Sequence, residues 1–474
     1  MPLNYFADFT HKGLEKMGAA TEVKSESNIK TVENATCTFC GCLCDDMVLT
    51  VDMDAKKITK AKNACVLGKA LFLSHEEEDR PFALIDGKPA TLKEGVEEAA
   101  QILANARFPM FYGMSDTTCE AQRQNVALVD MVGGTIDSTT SVCHGPTGMA
   151  LQGVGESTAT LGEIKNRADL VIYWGGNPAE SLPRHFARYA VTAKGMYTPN
   201  RKKDRTIVNV DVRRTKSVPV ADIFIQVKIG ADFELLWALR ALVKGRHVDP
   251  NIEKRTGVSL ETMKDLVERM KNCRYGVLFF GMGLSMTRGR HFNSAAILSL
   301  ASDLNEYTHF IATPMRGHGN VTGADIVVSW QTGYPFGVNF SRGYPKFNPG
   351  EFTATDMFVR GDADAGLILA SDPGSNFTQA AIDHMKKIPM IVLDPKLTHT
   401  AKLARVAFTT SHYGINTGGT AYRSDGVPIE LRPCLDSKYP SDEEVIRAIY
   451  KRVEQLLKTR KKTKGTNNKR RKAA

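Results

Sequence analysis

The order of apolar and polar residues along the chain predicts an alternation of buried strands and amphipathic helices. Short apolar runs that end in Gly or Asp indicate strands, and longer segments with apolar residues three or four positions apart indicate helices. The predicted strands are 46–52, 58–61, 109–113, 170–174, 206–210, 275–280, 308–312, 366–370 and 389–394. The predicted helices are 92–106, 117–132, 181–190, 233–243, 259–271, 291–304, 377–387 and 441–457. From residue 92 onward, strands separated by helices of this length predict an α/β fold with parallel sheets covered on both faces.

The segment before this α/β pattern is a small predicted hairpin that is rich in cysteine. Five of the nine cysteines lie between Cys37 and Cys65. An iron–sulfur cluster needs several thiolates as soft ligands. Here a tight loop would place most of them close together, and a hairpin would bring one more cysteine back to the same place. Cys37, Cys40, Cys44 and Cys65 have the spacing C-x2-C-x3-C-x20-C and form the predicted ligand set.

Other interpretations of these cysteines stay open at this point. A structural zinc site uses the same residue type, although it usually comes as two separated pairs. Thiols without metal and disulfides are further alternatives, but nothing at the N-terminus resembles a secretion signal, so a reducing, cytoplasmic location is predicted. Cys42 is either a spare thiol or an alternative cluster ligand.

Hydropathy and charge argue against a membrane protein and against a nucleic-acid-binding body. No run of 18 apolar residues is free of charge, so no membrane span is predicted. From Lys458 onward the chain has nine Lys or Arg and no Asp or Glu, which accounts for all but one unit of the formal net charge of +10. The body of the chain is therefore nearly neutral. The basic segment is predicted to be a disordered, solvated tail, with contact to an acidic partner or to RNA as the alternative.

The ends of four predicted strands carry residues suited to a large nucleotide-bearing cofactor. Ligands of parallel sheets bind at the carboxyl ends of strands. Glycines let a backbone approach a ligand, Asn and Ser supply hydrogen bonds, Arg suits phosphate, and Asp suits a ribose or a guanine edge. The candidate residues are Gly175, Gly176, Asn177, Ser181, Arg184, Asp211, Arg213, Gly281, Gly283 and Asp394. Any single junction is also compatible with an ordinary turn.

A second cysteine feature is the loop Ser-Val-Cys143-His144-Gly-Pro. A thiolate in this loop is compatible with a nucleophile activated by imidazole, with a metal ligand, or with an inert buried thiol. Side chains adjacent in sequence usually point apart, which argues against a protease-like pair. The residues alone leave the role of Cys143 open.

Together these motifs resemble the molybdopterin oxidoreductase superfamily and, within it, the family of the B subunit of tungsten or molybdenum formylmethanofuran dehydrogenase. The resemblance spans residues 35–435 and depends on the order and spacing of the motifs. They are the cysteine module ending in Asn63-Ala-Cys65, the Cys143-His144 loop, Gly-Asn177-Pro178 with Pro183-Arg184-His185, Pro314-Met-Arg316-Gly-His318-Gly-Asn320-Val321, and Gly418-Gly419-Thr420-Ala-Tyr422-Arg423.

The resemblance implies a 4Fe-4S cluster in the first module and two molybdopterin guanine dinucleotides that chelate tungsten or molybdenum. It implies that Cys143 completes the metal coordination, that Arg316 holds a carboxylate such as formate, and that His144 donates or accepts a proton. The implied reaction is the reversible reduction of CO2 to formate, which a partner subunit condenses with methanofuran. Further implied residues are Asn320 at the cofactor, His318 in support of the site and Lys69 between cluster and pterin, with ordinary loop or surface roles as the alternative for the last two.

The predicted architecture is an iron–sulfur module followed by two Rossmann-like pterin-binding domains. The boundaries are an N-terminal extension at 1–34, the module at 35–75, α/β domains at 76–260 and 261–435 with room to interleave, and a C-terminal helix with its basic tail at 436–474. After Arg423 too few residues remain for a C-terminal β-barrel domain, so the resemblance implies a separate β-barrel subunit over the pterin. A metallohydrolase subunit and ferredoxin-like electron carriers complete the implied complex. The alternatives are a non-redox scaffold subunit of a bacterial formyltransferase/hydrolase complex and a formate dehydrogenase-like subunit.

Overall fold

The computed structural model describes residues 28–472, with side chains as far as Arg460. Four sheets are present in this range, and none of them closes into a barrel. One large sheet has five parallel strands, and the other has nine strands with a parallel centre and antiparallel pairs at both edges. The third is a three-stranded antiparallel sheet, and the fourth is a two-stranded hairpin. The predicted α/β class is therefore confirmed. Most of the predicted N-terminal extension, residues 1–27, lies outside the described residues.

The three-stranded sheet carries the cysteine loop and consists of β1 (Ile29–Ala35), β2 (Met47–Asp52) and β3 (Lys57–Lys62). The nine-stranded sheet contains β4 (Ala83–Ile85), β5 (Lys88–Ala90), β6 (Pro109–Gly113), β7 (Thr135–Ser138), β13 (Val338–Asn339), β14 (Lys346–Phe347), β15 (Ala365–Leu369), β16 (Met390–Asp394) and β17 (Val406–Thr409). The five-stranded sheet contains β8 (Leu170–Trp174), β9 (Thr206–Asp211), β10 (Ile223–Gln226), β11 (Tyr275–Phe280) and β12 (His309–Pro314). The hairpin is β18 (Gly419–Tyr422) with β19 (Pro428–Leu431).

The helices cover the large sheets. Those before β11 are α1 (Val66–Leu73), α2 (Leu92–Asn105), α3 (Cys119–Val132), α4 (Gly145–Val154), α5 (Leu161–Arg167), α6 (Pro178–Ser181), α7 (His185–Arg188), α8 (Asp232–Val243), α9 (Ile252–Thr256) and α10 (Leu260–Asn272). Those after it are α11 (Met282–Ser285), α12 (His291–Leu304), α13 (Val321–Thr332), α14 (Ala354–Arg360), α15 (Pro373–Asn376), α16 (Gln379–Met385), α17 (His399–Leu403) and α18 (Asp442–Lys472).

The two large sheets interleave along the chain. The nine-stranded sheet, in the order β14-β13-β7-β6-β15-β16-β17-β4-β5, uses strands from before and after the five-stranded sheet. The strands β9 and β11, which lie on either side of the predicted boundary between residues 260 and 261, both pair with β8. The connection from β7 to β13, two antiparallel neighbours in the nine-stranded sheet, contains the complete five-stranded sheet.

The five-stranded sheet is parallel and has the order β10-β9-β8-β11-β12. The strand order reverses between β8 and β11, which is the position where doubly wound sheets bind ligands. Alternate residues of β8 face opposite cores: Leu170, Ile172 and Trp174 pack under helices, whereas Val171 and Tyr173 pack in the core that contains the cysteine loop. The cysteine module therefore lies against one face of this sheet.

Two helices differ from their predictions. The helix predicted at 181–190 is two short helices, α6 and α7, with Pro183 between them, because proline lacks an N–H and disfavours helical backbone in the residue before it. The last helix, α18, continues to Lys472 through the segment predicted as a disordered tail. Lys and Arg are good helix formers, which is compatible with this longer helix. No helix among the described residues is long and apolar enough to cross a membrane.

Candidate functional site

The two chain segments that connect the large sheets carry Cys143, His144 and Arg316. The first connection leaves the nine-stranded sheet at the end of β7, and the second leaves the five-stranded sheet at the end of β12. β7 is parallel to β6 and β12 is parallel to β11, so both segments start from the carboxyl ends of parallel strands. Residues that are far apart in sequence therefore meet between the sheets.

Hydrogen bonds hold these two segments together. The backbone N–H groups of Cys143 and His144 donate to the Thr140 carbonyl at 3.0 and 2.8 Å. The Arg316 guanidinium donates to Thr140 Oγ1 at 2.6 Å, and His144 Nε2 lies 3.2 Å from the Met315 carbonyl oxygen. The structure thus brings together the three residues to which the resemblance assigned catalytic roles.

The His144 imidazole is buried and has a protein partner at both nitrogens. A carbonyl oxygen only accepts, so Nε2 carries the hydrogen toward Met315, and Nδ1 accepts from Thr147 Oγ1 at 3.1 Å. Burial, together with the Arg316 charge, lowers the pKa of His144 to about 3. The ring is therefore neutral, and proton exchange at His144 requires one of the two hydrogen bonds to open.

The Arg316 guanidinium is oriented by a buried ion pair. Its Nη2 lies 2.8 Å from Asp325 Oδ2, and the two side chains are 9% and 16% exposed. Its Nε is buried without a hydrogen-bond partner among the described residues. The Cys143 thiol is buried nearby: burial raises its pKa, and the positive charge of Arg316 acts in the opposite direction. Arg316 therefore favours the thiolate form of Cys143.

Two cavities flank these residues. A cavity of about 430 Å³ reaches His144 and Arg316 and is lined by Thr140, His144, Thr147, Gly148, Leu151, Gln152, Pro314, Arg316, Asp325, Ile326, Ser329, Trp330, Gly333 and Pro335. A cleft of about 690 Å³ lies at the carboxyl ends of β15 and β16. Its lining includes Thr38, Phe39, Asp116, Glu180, Ser181, Gly317, His318, Asp372, Asp394, Lys396 and Asp442. This cleft falls within the size range of cofactor sites.

Carboxylates dominate the polar lining of the cleft. Asp442 is buried; one of its oxygens accepts from Thr117 Oγ1 at 2.6 Å, and the other has no partner among the described residues. Asp394 accepts from the Lys396 backbone N–H, and burial raises its pKa to about 7. His318 Nδ1 lies 3.3 Å from Asp116. The cleft therefore offers acceptors for N–H or O–H donors of a ligand.

The predicted glycines at the switch point pack on one another. Gly175 has a φ of +57°, and a Cβ there would lie 2.6 Å from the Leu284 nitrogen. The Gly283 N–H donates to the Gly175 carbonyl at 2.9 Å, and a Cβ on Gly281 would lie 2.5 Å from that same carbonyl oxygen. These glycines are required for two loops to approach each other at the end of β8 and β11.

The other junction residues have local partners. Asn177 Oδ1 accepts from Ser217, and Ser181 Oγ donates to the Asn177 carbonyl. Asp211 accepts from the Arg213 N–H at the end of β9, and the Arg213 side chain is exposed.

Asn320 and Lys69 have different surroundings. Asn320 is fully buried; it donates to the Thr117 carbonyl and accepts from the Tyr422 N–H. The amide of Asn320 therefore holds loops together. Lys69 is exposed on α1, which agrees with the alternative prediction of an ordinary surface lysine.

The cysteines of the N-terminal module share one small cavity, which is lined by Cys37, Cys40, Cys42, Cys44 and Cys65. Gly68 leaves room beside them, since a Cβ there would lie 3.1 Å from the Cys37 sulfur and 3.9 Å from the Cys65 sulfur. Burial raises the pKa of Cys37, with smaller upward contributions from Cys40, Cys44 and Cys65. A hydrogen bond with the Cys40 side chain, together with burial, raises the pKa of Cys42. No three His, Cys, Asp or Glu side chains within residues 28–460 are grouped around a single metal-ion position.

Arg184, predicted to face a phosphate, is instead paired beside the cysteines. Its Nη1 and Nη2 donate to the two carboxylate oxygens of Asp46 at 2.5 and 2.6 Å, and it lines the cysteine cavity. The sequence did not indicate this pairing, nor the Asp325 partner of Arg316. Asp46 is 138 positions from Arg184, so no local spacing could have identified that pair, whereas Asp325 is nine positions after Arg316, on the helix that follows it.

Comparison with solved structures shows the class of fold. No family model matches the chain. The chain superimposes on a formyltransferase/hydrolase complex chain from Methylorubrum extorquens, solved with methylofuran, with a TM-score of 0.65, 22% identity and coverage of 79% of this chain and 99% of that one. It also superimposes on acetylene hydratase from Pelobacter acetylenicus with a TM-score of 0.66, 12% identity and coverage of 89% and 69%. The chain therefore has the same overall fold as these two proteins.

Sequence similarity gives the family. The chain is 43% identical over 438 residues to the B subunit of the tungsten-containing formylmethanofuran dehydrogenase 2 of Methanocaldococcus jannaschii, covering 90% of this chain and all of that protein. It is 40% identical over 437 residues to the protein of the same name from Methanococcus maripaludis, with the same coverage. The chain belongs to the family formed by the B subunit of tungsten-containing formylmethanofuran dehydrogenase, an oxidoreductase family. The resemblance stated from the sequence motifs is confirmed.

Proposed function

We propose that this chain is the catalytic subunit of a formylmethanofuran dehydrogenase and that it reduces CO2 reversibly to formate. The observation that carries the proposal is the meeting of buried Cys143 with Arg316, on the two separate connections between the sheets, in a chain of this family. A thiolate is the soft donor that a pterin-bound tungsten or molybdenum accepts, and Arg is the side chain suited to a carboxylate such as formate.

The residues present fit a pterin-bound metal. Cys143 would supply the protein ligand to the metal. The two strand-end regions would hold the two molybdopterin guanine dinucleotides: the loops at Gly175 and Gly281 on one sheet, and the acidic cleft with Asp394 and Asp442 on the other. The unpartnered, buried oxygen of Asp442 supports this assignment, because the guanine edge presents N–H donors. When bound, the pterin-held metal supplies two-electron redox chemistry.

The cysteine module fits a 4Fe-4S cluster held by Cys37, Cys40, Cys44 and Cys65, which would pass electrons singly. The shared cavity and the space beside Gly68 support this ligand set. The four cysteines that bind a cubane are ligands of four different irons, so the cysteine sulfurs lie further apart than the ligands of a single ion do. That geometry is compatible with the lack of a single-ion site among the described residues.

The chain's own residues position the substrate. Reduction of CO2 to formate takes up two electrons and one proton. Arg316 is fixed by Asp325 and Thr140, and its unpartnered Nε is free to donate to a substrate oxygen. The cavity of about 430 Å³ beside it is lined in part by Leu151, Ile326 and Trp330 and offers space for CO2. His144, neutral and doubly hydrogen-bonded, holds the Cys143 loop against the Arg316 loop.

The chain is proposed to work within a larger complex. The relatives from Methanocaldococcus and Methanococcus are each named as one subunit of an enzyme, and the Methylorubrum structure is of a multi-subunit complex. The proposed partners are a β-barrel subunit that covers the pterin, a metallohydrolase subunit that condenses formate with methanofuran, and ferredoxin-like electron carriers.

Metal analysis of the purified complex tests the proposal. Tungsten or molybdenum together with about four iron atoms for each copy of this chain, and methanofuran-dependent CO2 reduction that Cys143→Ala removes, are the expected results. A complex that assembles with neither metal would overturn the proposal and favour the scaffold role. Formate oxidation without methanofuran by this chain and a single partner would instead favour a formate dehydrogenase-like subunit.

A further inference from the structure

Two arginines from the five-stranded domain lie against the cysteine loop. Arg184, at the start of α7, forms the bidentate pair with Asp46, and Arg188, one turn further, donates to Asp45 and Asp46. Asp45 and Asp46 follow Cys44 directly in sequence. The four charges balance in number, so their effect on the cavity depends on which of them lie nearer to it.

The cations lie on the inner side of this network and the carboxylates on the outer side. The side chains of Arg184 and Arg188 are 21% and 19% exposed, whereas those of Asp46 and Asp45 are 38% and 39% exposed. Arg184 lines the cysteine cavity, and neither carboxylate does. Because solvent screens the outer charges more strongly, the cavity experiences a net positive potential from this network.

We propose that Arg184 and Arg188 form a cationic clamp that raises the reduction potential of the cluster. The inference rests on the proposed 4Fe-4S assignment. A cluster with four thiolate ligands is anionic, and one-electron reduction makes it more negative, so a fixed positive charge stabilises the reduced state. Asp46 opposes this effect by partial neutralisation and also fixes the orientation of the Arg184 guanidinium. The clamp is a positioning and tuning element of the electron path, separate from Cys143 and Arg316.

Potentiometric titration of the reduced-cluster EPR signal in the purified complex tests the clamp. Arg184→Gln should shift the midpoint potential to more negative values, by the equivalent of about a tenfold change in the one-electron equilibrium constant, or about 59 mV. Arg184→Lys keeps the charge and should recover most of the shift. Asp46→Asn removes the opposing charge and should move the potential in the positive direction. Arg240→Gln is the matched control, because the Arg240 side chain is buried to a similar extent, at 17% exposure, and is paired with Asp303 on the opposite face of the sheet.

The outcomes separate this inference from the cluster assignment. If the Arg184→Gln variant fails to take up iron, the midpoint potential of the Asp46→Asn variant tests the clamp instead. A midpoint potential in Asp46→Asn that is unchanged or more negative than that of the wild type overturns the clamp. If the wild-type complex gives a normal signal and neither Arg184→Gln nor Asp46→Asn changes the midpoint potential, the clamp is overturned and the 4Fe-4S assignment stands. A wild-type complex without the signal would overturn the 4Fe-4S assignment and the clamp with it.

Discussion

Replacing Asp325 by Ala removes the carboxylate that orients Arg316. The two side chains form an ion pair at 2.8 Å and are 16% and 9% exposed, and Arg316 as a whole is 7% exposed. After the substitution, Thr140 Oγ1 is the other acceptor that the described residues offer to the guanidinium. A buried positive charge is then left without its counter-charge.

The burial of this pair sets the expected magnitude. Removing one partner of a buried ion pair costs about 3–5 kcal/mol, whereas an exposed pair contributes about 0–1 kcal/mol. Since both side chains of the pair keep slight exposure, we expect the lower end, about 3 kcal/mol of unfolding free energy. The control is Asp86→Ala, which breaks the pair with Arg405, where the side chains are 42% and 56% exposed. We expect that change to cost less than about 1 kcal/mol.

Urea unfolding followed by tryptophan fluorescence measures both variants, and Trp330 lines the cavity that contains Asp325. The double variant Arg316→Met with Asp325→Leu replaces the pair by apolar groups and should regain most of the lost stability while CO2 reduction stays absent. If Asp325→Ala and Asp86→Ala lower the free energy of unfolding by the same amount, the Arg316–Asp325 pair does not behave as a buried ion pair, and the reasoning is refuted.

Three further predictions concern the cysteines and the cleft. Cys143→Ala should abolish CO2 reduction and leave the iron–sulfur EPR signal intact; full retained activity would refute the ligand assignment. Cys37→Ser should remove that signal and about four iron atoms, whereas Cys42→Ala should retain both, and loss of iron in Cys42→Ala would make Cys42 a ligand. Burial raises the pKa of Asp394 to about 7 from 3.8, so the folded chain keeps a proton that the unfolded chain releases, and stability falls as pH rises between these values. Asp394→Asn should therefore stabilise the cofactor-free chain against urea at pH 8 but not at pH 4; equal effects at both pH values would contradict this.

Local signals predicted the elements of the sheets well. The strands β6, β8 and β11 and the helix α12 have the predicted bounds, because fully apolar runs and regular helical spacing are properties of short segments. The interleaving of the two sheets is a long-range property. The pairing of β15 with β6 joins residues more than 250 positions apart, and no periodicity encodes it.

The same distinction applies to the candidate site. The glycines at strand ends could be found in the sequence. Their role in the contact between two loops could not be predicted, because it depends on where both loops lie in the fold. Arg184 shows the difference most clearly: next to a glycine-containing strand end it indicated a phosphate ligand, and in the fold its guanidinium is already paired with Asp46. An Arg side chain is long enough to reach either direction, so its partner follows from tertiary structure alone.

The insertion of one sheet into the other explains how the site forms. A chain that leaves the end of β7 and returns after β12 must cross between the sheets twice, and each crossing begins at a carboxyl strand end. Cys143 lies on the outward crossing and Arg316 on the return, and the Thr140 loop bonds the two. Their contact therefore requires both sheets to be folded and docked. Destabilising the interface at Asp325 should consequently impair the proposed chemistry at Cys143, even though Asp325 itself carries no reacting group.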